Sequence, residues 1–296
     1  MTDVRDVTVV GAGVMGCGIA QVAAGAGCDV TLVDISPASL TAARDAIATS
    51  LNRLVRAARL TRTRADDALR HIRLTTSLDE PAARADLVIE AIVEDLGAKQ
   101  ALFRRLDGLC RADVVLATNT SQFPMTQVAQ HTADPSRVIG MHWSNPPQLM
   151  LLVELVVGRS TSEEALRVVR EFAARCGREY VVCRTDLPGF ISNRLSVALF
   201  TEAGRMVDDG VAGPADIDRV ARMMFGHRMG PLETQDLAGL DTVLRATTAM
   251  ASFYGERFEP PESLRALVSA GRLGRKTSGG FYDYVDGEKH EPGTEQ

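Results

Sequence analysis

The stretch Val7-Thr8-Val9-Val10-Gly11-Ala12-Gly13-Val14-Met15-Gly16 decides the fold of this chain. An apolar, β-branched run typical of a buried strand ends in glycines spaced G-x-G-x-x-G, and small residues that can enter a helix follow. In a dinucleotide-binding turn, Gly11 permits the sharp bend, Gly13 lets the backbone approach a pyrophosphate, and Gly16 lets the helix pack closely on the sheet. The start of that helix, with Val14 and Met15, then faces the phosphates. The stretch therefore predicts a strand–turn–helix unit that binds a dinucleotide.

The glycine pattern alone is weak support, because glycine-rich turns also occur in ordinary strand–turn–helix units. A second apolar strand, Val30-Thr31-Leu32-Val33, ends at Asp34, an acid about 20 residues beyond the glycines. An acid at that place accepts hydrogen bonds from a ribose 2′-hydroxyl, and its charge repels a 2′-phosphate. Because no arginine directly follows Asp34, we expect the cofactor to be NAD rather than NADP.

Length and composition indicate a globular protein that is long enough for two domains. The 296 residues are 45% hydrophobic and 24% charged, and the formal net charge is −5. This charge gives no reason to expect a nucleic-acid partner, and no run of about 20 apolar residues suggests a membrane span. Because the first strand is predicted to begin almost at the N-terminus, we expect no signal peptide. Because the five scattered cysteines form no C-x-x-C pair, we expect a cytoplasmic protein with reduced thiols.

Short apolar strands alternate with helical stretches up to about residue 185, and helical patterns alone follow. This order predicts an α/β protein with an N-terminal Rossmann-like, doubly wound parallel sheet and a C-terminal all-helical domain. The expected domains are residues 1–185 and 186–296. Ser36-Pro37 predicts the start of a helix that continues to about Arg59. We expect the polar tail from Gly287 to Gln296 to be frayed.

Polar residues follow several of the predicted strands at the point where each strand ends. In an open α/β sheet, ligands bind outside the carboxyl ends of the strands, so these residues are expected to line one edge of the sheet. Beyond Gly11–Gly16 and Asp34 they are Ala91, Glu94 and Lys99, then Asn119 and Ser121, and finally His142, Ser144 and Asn145.

Glu154 stands out because it lies inside the apolar run Leu151–Val157. A buried ionised carboxylate costs several kcal/mol unless it has a partner, and His142 is the nearest histidine in the sequence. A carboxylate orients an imidazole and raises its basicity, so the two residues suit a general base near neutral pH. The alternative is an edge strand on which Glu154 points outward.

Patterns for other chemistries are missing from the sequence. It contains no G-x-S-x-G elbow, no H-E-x-x-H pair and no P-loop G-K-[ST]. Nothing resembles a cluster of zinc ligands, so we expect no metal.

Taken together, the motifs resemble those of the 3-hydroxyacyl-CoA dehydrogenase family, in family order and over nearly the whole chain. The runs that carry the resemblance are GAGVMGCGIAQ, EAIVEDLGAKQALF, ATNTS, RVIGMHWSNP, LVELV, LPGFISNRL, GPLETQDLAGLDT and GRLGRKTSGGFYDY. The resemblance implies an NAD-binding domain followed by a helical domain that also forms a homodimer interface.

The resemblance also implies roles for single residues. His142 matches the general base of the family and Glu154 its partner. Ser121 and Asn193 match residues that bind the 3-oxygen of the substrate. The remaining matches, to residues that contact the nicotinamide half of the cofactor, are Glu94, Lys99 and Asn145.

Departures from the family pattern concern the acyl group and its carrier. Leu151 replaces a lysine that is common before L-V-E, and the lysine-rich stretch associated with the CoA phosphates is largely replaced by Arg53, Arg56 and Arg59. Arg53 and Arg56 are the candidate phosphate-binding residues, and a solvated helix face is the alternative. The expected substrate is a 3-hydroxyacyl-CoA thioester. A carrier-protein thioester, or a free acid as in carnitine and gulonate dehydrogenases, remains open, as does a structural protein without activity.

Overall fold

An eight-stranded sheet forms the centre of the N-terminal part of the protein. A computed structural model describes residues 4–286 and 288–291. It divides into two compact units, Met1–Phe190 and Ile191–Gln296. The strands of the first unit are β1 (Asp6–Val10), β2 (Asp29–Val33), β3 (Ile72–Thr75), β4 (Leu87–Glu90), β5 (Val115–Thr118), β6 (Val138–Trp143), β7 (Leu152–Val156) and β8 (Glu179–Cys183). Their order in the sheet is β3-β2-β1-β4-β5-β6-β7-β8.

Six strands, β1 to β6, run parallel to one another, but β7 runs antiparallel to β6, and β8 follows β7. The predicted Rossmann-like, doubly wound parallel sheet is confirmed, except that the sequence analysis did not foresee the antiparallel direction of β7 relative to β6. The physical reason is the length of the connection. A parallel connection needs about a dozen residues or more, and residues 144–151 provide too short a link between β6 and β7.

Helices cover both faces of this sheet, as the doubly wound prediction requires. On one face Ile19 and Phe172 pack into one hydrophobic core, and on the other Phe103 and Leu106 pack into a second. These helices are α1 (Val14–Gly25), α2 (Pro37–Arg56), α3 (Arg62–Arg70), α4 (Asp79–Arg84), α5 (Leu96–Leu109), α6 (Met125–Val128) and α7 (Glu163–Arg175).

Helix α2 begins as its sequence predicts but ends earlier. The Ser36 hydroxyl accepts a hydrogen bond from the Ser39 amide, which satisfies an otherwise unpaired N–H of the first turn. At the other end Ala58 has φ 54°, so the chain leaves the helix after Arg56 rather than at Arg59. Alanine is the best helix former, and Ala57-Ala58 therefore gave no sign of this end. Arg59 consequently does not continue the helical row of Arg53 and Arg56.

The second unit is mainly helical, and a small hairpin is added to it. Its helices are α8 (Ser192–Asp208), α9 (Pro214–Phe225), α10 (Pro231–Ala238), α11 (Leu240–Tyr254) and α12 (Glu262–Ser269). Strands β9 (Asp283–Val285) and β10 (Glu288–His290) pair antiparallel, so the domain is not all-helical and the described part of the tail is ordered by this pairing. Gly287 and residues 292–296 of the tail lie outside the described residues.

Two buried carboxylates tie the helices of this unit to its C-terminal segment. Asp218 on α9 accepts hydrogen bonds from the Leu232 amide and the Tyr282 hydroxyl. Asp236 on α10 accepts them from the amides of Phe281 and Tyr282. Hydrogen bonds of this kind offset the cost of burying the two carboxylates. Among the residues described, no helix is long and apolar enough to cross a membrane.

Candidate active site

The glycine turn has the geometry that its sequence predicts. Gly11 has φ 109°, a conformation that favours glycine, and its amide donates to the Val33 carbonyl at 2.7 Å. A Cβ atom on Gly16 would lie 1.8 Å from the Gly11 carbonyl oxygen, whereas one on Gly13 would meet no protein atom within 4 Å. Packing within the protein therefore explains Gly16 but does not explain Gly13, which suits a backbone that a ligand approaches. The first turn of α1, with exposed Val14 and half-buried Met15, contains no acid that would repel a phosphate.

Asp34, at the end of β2, is joined to this turn by hydrogen bonds. Its Oδ2 accepts from the Ala12 amide at 2.8 Å, and its Oδ1 accepts from the Ser36 amide at 2.9 Å. Both carboxylate oxygens are thus held in place while each keeps a lone pair for a further donor. The arrangement fits a ribose diol beside the glycine turn.

His142 and Glu154 face each other across neighbouring strands. They are register partners in the β6–β7 pair, and His142 Nδ1 lies 2.6 Å from Glu154 Oε2. The side chain of Glu154 is 3% exposed and that of His142 is 13% exposed, so the pair is largely removed from water. The His142 ring also lies 5.8 Å from the ring of Phe190. His142 is a residue of β6 itself, which extends further than predicted, rather than of the loop after it.

Glu94 and Lys99 belong to a charged network that also includes Glu90, a residue the sequence analysis did not single out. Lys99 is 1% exposed, and its Nζ lies 2.6 Å from Glu90 Oε1 and 3.1 Å from Glu94 Oε2. Glu90 is fully buried at the end of β4. This burial raises the pKa of the Glu90 carboxyl, although the charge and hydrogen bond of Lys99 oppose the change. The lysine is therefore packed between two carboxylates.

The same network holds the segment that contains Ser121. Glu94 Oε1 accepts hydrogen bonds from the Thr120 hydroxyl at 2.5 Å and from the Ser121 amide at 3.0 Å. The Thr118 hydroxyl donates to Glu90 Oε2 and accepts from the Thr120 amide. Glu90, Thr118 and Thr120 were missed from the sequence. The sequence did contain a signal for Glu90, because it is an acidic residue at the end of an apolar strand. An acidic residue inside an apolar strand was the corresponding signal for Glu154.

The other predicted site residues have different environments. Asn119 accepts a hydrogen bond from the Trp143 amide, which joins the ends of β5 and β6, and the Ala91 amide donates to the Val10 carbonyl. Asn145 is exposed in the loop after β6. Asn193 belongs to the second unit, in the first turn of α8. Arg53 and Arg56 are exposed in the last turn of α2.

Among the described residues, no group of three or more His, Cys, Asp or Glu side chains could hold a metal ion.

Comparison with known proteins identifies the family. The family described as "3-hydroxyacyl-CoA dehydrogenase, NAD binding domain" matches residues 6–187, and its C-terminal domain matches residues 189–284. The chain therefore belongs to the 3-hydroxyacyl-CoA dehydrogenase family, and it is an oxidoreductase whose cofactor is NAD.

Individual relatives extend over nearly the whole chain. A probable 3-hydroxybutyryl-CoA dehydrogenase of Bacillus subtilis is 41% identical over 285 residues, which are 96% of this chain and 99% of the relative. A 3-hydroxybutyryl-CoA dehydrogenase of Mycobacterium tuberculosis is 42% identical over 283 residues, 95% of this chain and 99% of the relative. The crystal structure of (S)-3-hydroxybutyryl-CoA dehydrogenase from Ralstonia eutropha has a TM-score of 0.91 at 36% identity, and the match covers 96% of this chain and all of that one (100%).

Proposed function

We propose that the protein catalyses the reversible oxidation of a 3-hydroxyacyl-CoA thioester at C3, with His142 as the general base and Glu154 as its partner. The single observation that carries this proposal is the 2.6 Å contact between His142 Nδ1 and Glu154 Oε2 in a largely buried pair. The names of the relatives support the choice of a short 3-hydroxyacyl group, since two of them are 3-hydroxybutyryl-CoA dehydrogenases.

The direction of the proton transfer follows from the chemistry of the pair. An ionised carboxylate only accepts hydrogen bonds, so Nδ1 of His142 carries the proton that it donates to Glu154. Nε2 is then left with a lone pair, which takes the proton of the substrate 3-hydroxyl. The carboxylate of Glu154 stabilises the imidazolium that forms. NAD supplies the hydride acceptor when it is bound. In the reductive direction His142 returns its proton to the 3-oxygen.

The remaining roles are assigned by matching the motifs to the observed positions. Gly11, Gly13 and Gly16, with the first turn of α1, would hold the pyrophosphate, and Asp34 would hold the ribose. Glu94, Lys99 and Asn145 are assigned to the nicotinamide half, and Ala91 and Asn119 to the cofactor without a choice of half. Ser121 and Asn193 are assigned to the substrate 3-oxygen, and Ser121 also to the cofactor. We further propose that residues 1–185 are the NAD-binding domain and that residues 186–296 bind substrate and form a homodimer, in a cytoplasmic enzyme.

The carrier of the acyl group is tested by comparing substrates. NADH oxidation is measured side by side with acetoacetyl-CoA, free acetoacetate and an acetoacetyl carrier-protein thioester, for the wild type and for His142→Ala. We expect the highest kcat/KM with acetoacetyl-CoA and its loss in the variant.

The other outcomes separate the alternatives. If kcat/KM is highest with the carrier-protein thioester or with the free acid, that compound, and not the CoA thioester, defines the substrate class. No turnover of any of the three by the wild type would favour a protein without this activity. Burial of the His142–Glu154 pair argues against that alternative, because a purely structural protein gains nothing by keeping a desolvated ionisable pair.

A further inference from the structure

Glu90 is the acceptor of three hydrogen bonds, and all of them fit an ionised carboxylate. Its Oε1 accepts from Lys99 Nζ at 2.6 Å and from the Ile92 amide at 2.7 Å, and its Oε2 accepts from the Thr118 hydroxyl at 2.5 Å. The Thr118 oxygen accepts in turn from the Thr120 amide, so its own proton is directed to Glu90. The surroundings thus provide donors on both oxygens.

Glu90 and Glu94 compete for one ammonium group. Lys99 Nζ is closer to Glu90 (2.6 Å) than to Glu94 (3.1 Å), and the side chains of Lys99 and Glu90 are 1% and 0% exposed. The triad of two carboxylates and one ammonium therefore has a surplus of one negative charge. Water can screen this charge only at Glu94, whose side chain is 30% exposed. The excess negative charge of the triad therefore lies mainly on Glu94, the carboxylate that is assigned to the nicotinamide half.

We propose that Glu90 sets the relative affinity of the site for NAD⁺ and NADH. Glu90 draws Lys99 away from Glu94, so the triad keeps a negative charge that attracts the positively charged nicotinamide of NAD⁺ more than the neutral ring of NADH. The proposal rests on the placement of Glu94 in the proposed function. Glu90 touches neither cofactor nor substrate in this scheme, so it is a positioning residue that acts through Lys99 and Glu94.

The test uses Glu90→Gln, which keeps the shape of the side chain and removes its charge. Dissociation constants for NAD⁺ and NADH are measured by calorimetric and fluorescence titration, without any acyl substrate. Loss of one charge within the triad is expected to raise the ratio Kd(NAD⁺)/Kd(NADH) roughly three- to tenfold. Glu94→Gln removes the same charge unit and is expected to shift the ratio in the same direction. It also provides the test if Glu90→Gln does not fold.

One control variant and two contrary outcomes make the result decisive. Glu80→Gln removes an exposed carboxylate on α4, which pairs only weakly with Arg84, and is expected to leave the ratio unchanged. Equal weakening of NAD⁺ and NADH by Glu90→Gln would overturn the proposal, because a merely structural role lowers both affinities alike. An unchanged ratio in the Gln variants overturns it as well. The proposed function fails independently, when the wild type does not turn over acetoacetyl-CoA.

Discussion

His142 and Glu154 occupy directly opposite positions in the antiparallel β6–β7 pair. Opposite residues in such a pair lie on the same face of the sheet, with Cβ atoms about 4.5–5.5 Å apart. A slip of one residue would move Glu154 to the other face. The 2.6 Å contact between Nδ1 and Oε2 is therefore fixed by strand register, which two packed strands hold more rigidly than a loop could. The reversal of chain direction at residues 144–151 is what makes this pairing possible.

Removal of the imidazole is expected to abolish most turnover. His142→Ala should lower kcat by roughly 10²–10⁴, the usual contribution of a positioned general base, and leave the Kd of NADH nearly unchanged. Glu154→Gln should also lower kcat, because the amide cannot stabilise the imidazolium by charge. Steady-state kinetics with acetoacetyl-CoA and NADH titration measure the two effects. His131→Ala, at an exposed histidine, is the matched control, and wild-type turnover by His142→Ala would disprove the assignment.

The glycines of the first turn should respond differently to the same substitution. Gly13→Ala meets no protein atom within 4 Å, so we expect a normal melting temperature but a KM for NADH raised roughly tenfold or more, because the methyl group blocks the approach of the pyrophosphate. Gly16→Ala places Cβ 1.8 Å from the Gly11 carbonyl oxygen. Alanine is more favourable than glycine within a helix by about 1 kcal/mol. Overpacking costs about 1–3 kcal/mol, and a contact this close to a backbone oxygen is expected at the upper end of that range. Thermal unfolding should therefore show a lower melting temperature for Gly16→Ala only. Equal melting temperatures with equal KM values would contradict this explanation.

The sequence was sufficient to predict those parts of the structure that a single short pattern of residues determines. The glycine turn and Asp34 lie within one strand–turn–helix–strand unit, and the His142–Glu154 contact followed from the cost of burying a lone carboxylate. The Glu90–Lys99–Glu94 network could not be read in the same way, because Lys99 resembles a surface lysine of α5 until packing buries it. The direction of β7 was decided by loop length, which strand patterns alone do not include.

Asp34 is expected to determine the choice between the two dinucleotides. Both of its oxygens are held beside the glycine turn, where a 2′-phosphate would meet a fixed negative charge. We expect kcat/KM for NADH to exceed that for NADPH by at least roughly tenfold, and Asp34→Asn to reduce this preference. Asparagine keeps an acceptor for the Ala12 amide but turns an NH2 group towards the Ser36 amide, which loses its acceptor. A thermal melt therefore accompanies the kinetics, to show that the variant is folded. An equal or higher kcat/KM for NADPH in the wild type would overturn the assignment.

The second unit is expected to form a homodimer. Three consecutive apolar side chains at the end of α9 are exposed, namely Met223 (79%), Met224 (75%) and Phe225 (66%), and Leu195 of α8 is exposed as well (68%). Exposed apolar groups of this number favour burial against another protein surface. Sedimentation should give a dimer across the micromolar range, and Met224→Glu should shift it towards monomer without a change in the helical circular-dichroism signal. A monomeric wild type at these concentrations would refute the prediction.

Arg53 and Arg56 provide a test of where a CoA phosphate would bind. They are three residues apart in the last turn of α2, so they are neighbours on its surface, and both are exposed. Guanidinium groups form forked hydrogen bonds to phosphate, which favours arginine at such a site. Reversal of both charges, in Arg53→Glu with Arg56→Glu, should raise KM for acetoacetyl-CoA roughly tenfold or more. The KM for the N-acetylcysteamine thioester, which has no phosphate, should stay nearly constant.

The structure supplies a matched control for this pair. Arg59 follows the end of α2, outside the helical row, so Arg59→Glu is the control for each single reversal, Arg53→Glu or Arg56→Glu. It changes the net charge by the same amount as either of them and should affect KM for acetoacetyl-CoA much less. All three arginines attract the CoA phosphates at long range, but salt screens this attraction over about 10 Å at 0.1 M ionic strength. A direct contact between a guanidinium group and a phosphate is screened less. Measurement at low and moderate salt therefore separates the two contributions. If both thioesters respond alike, or neither responds, Arg53 and Arg56 form a solvated face and the carrier binds elsewhere.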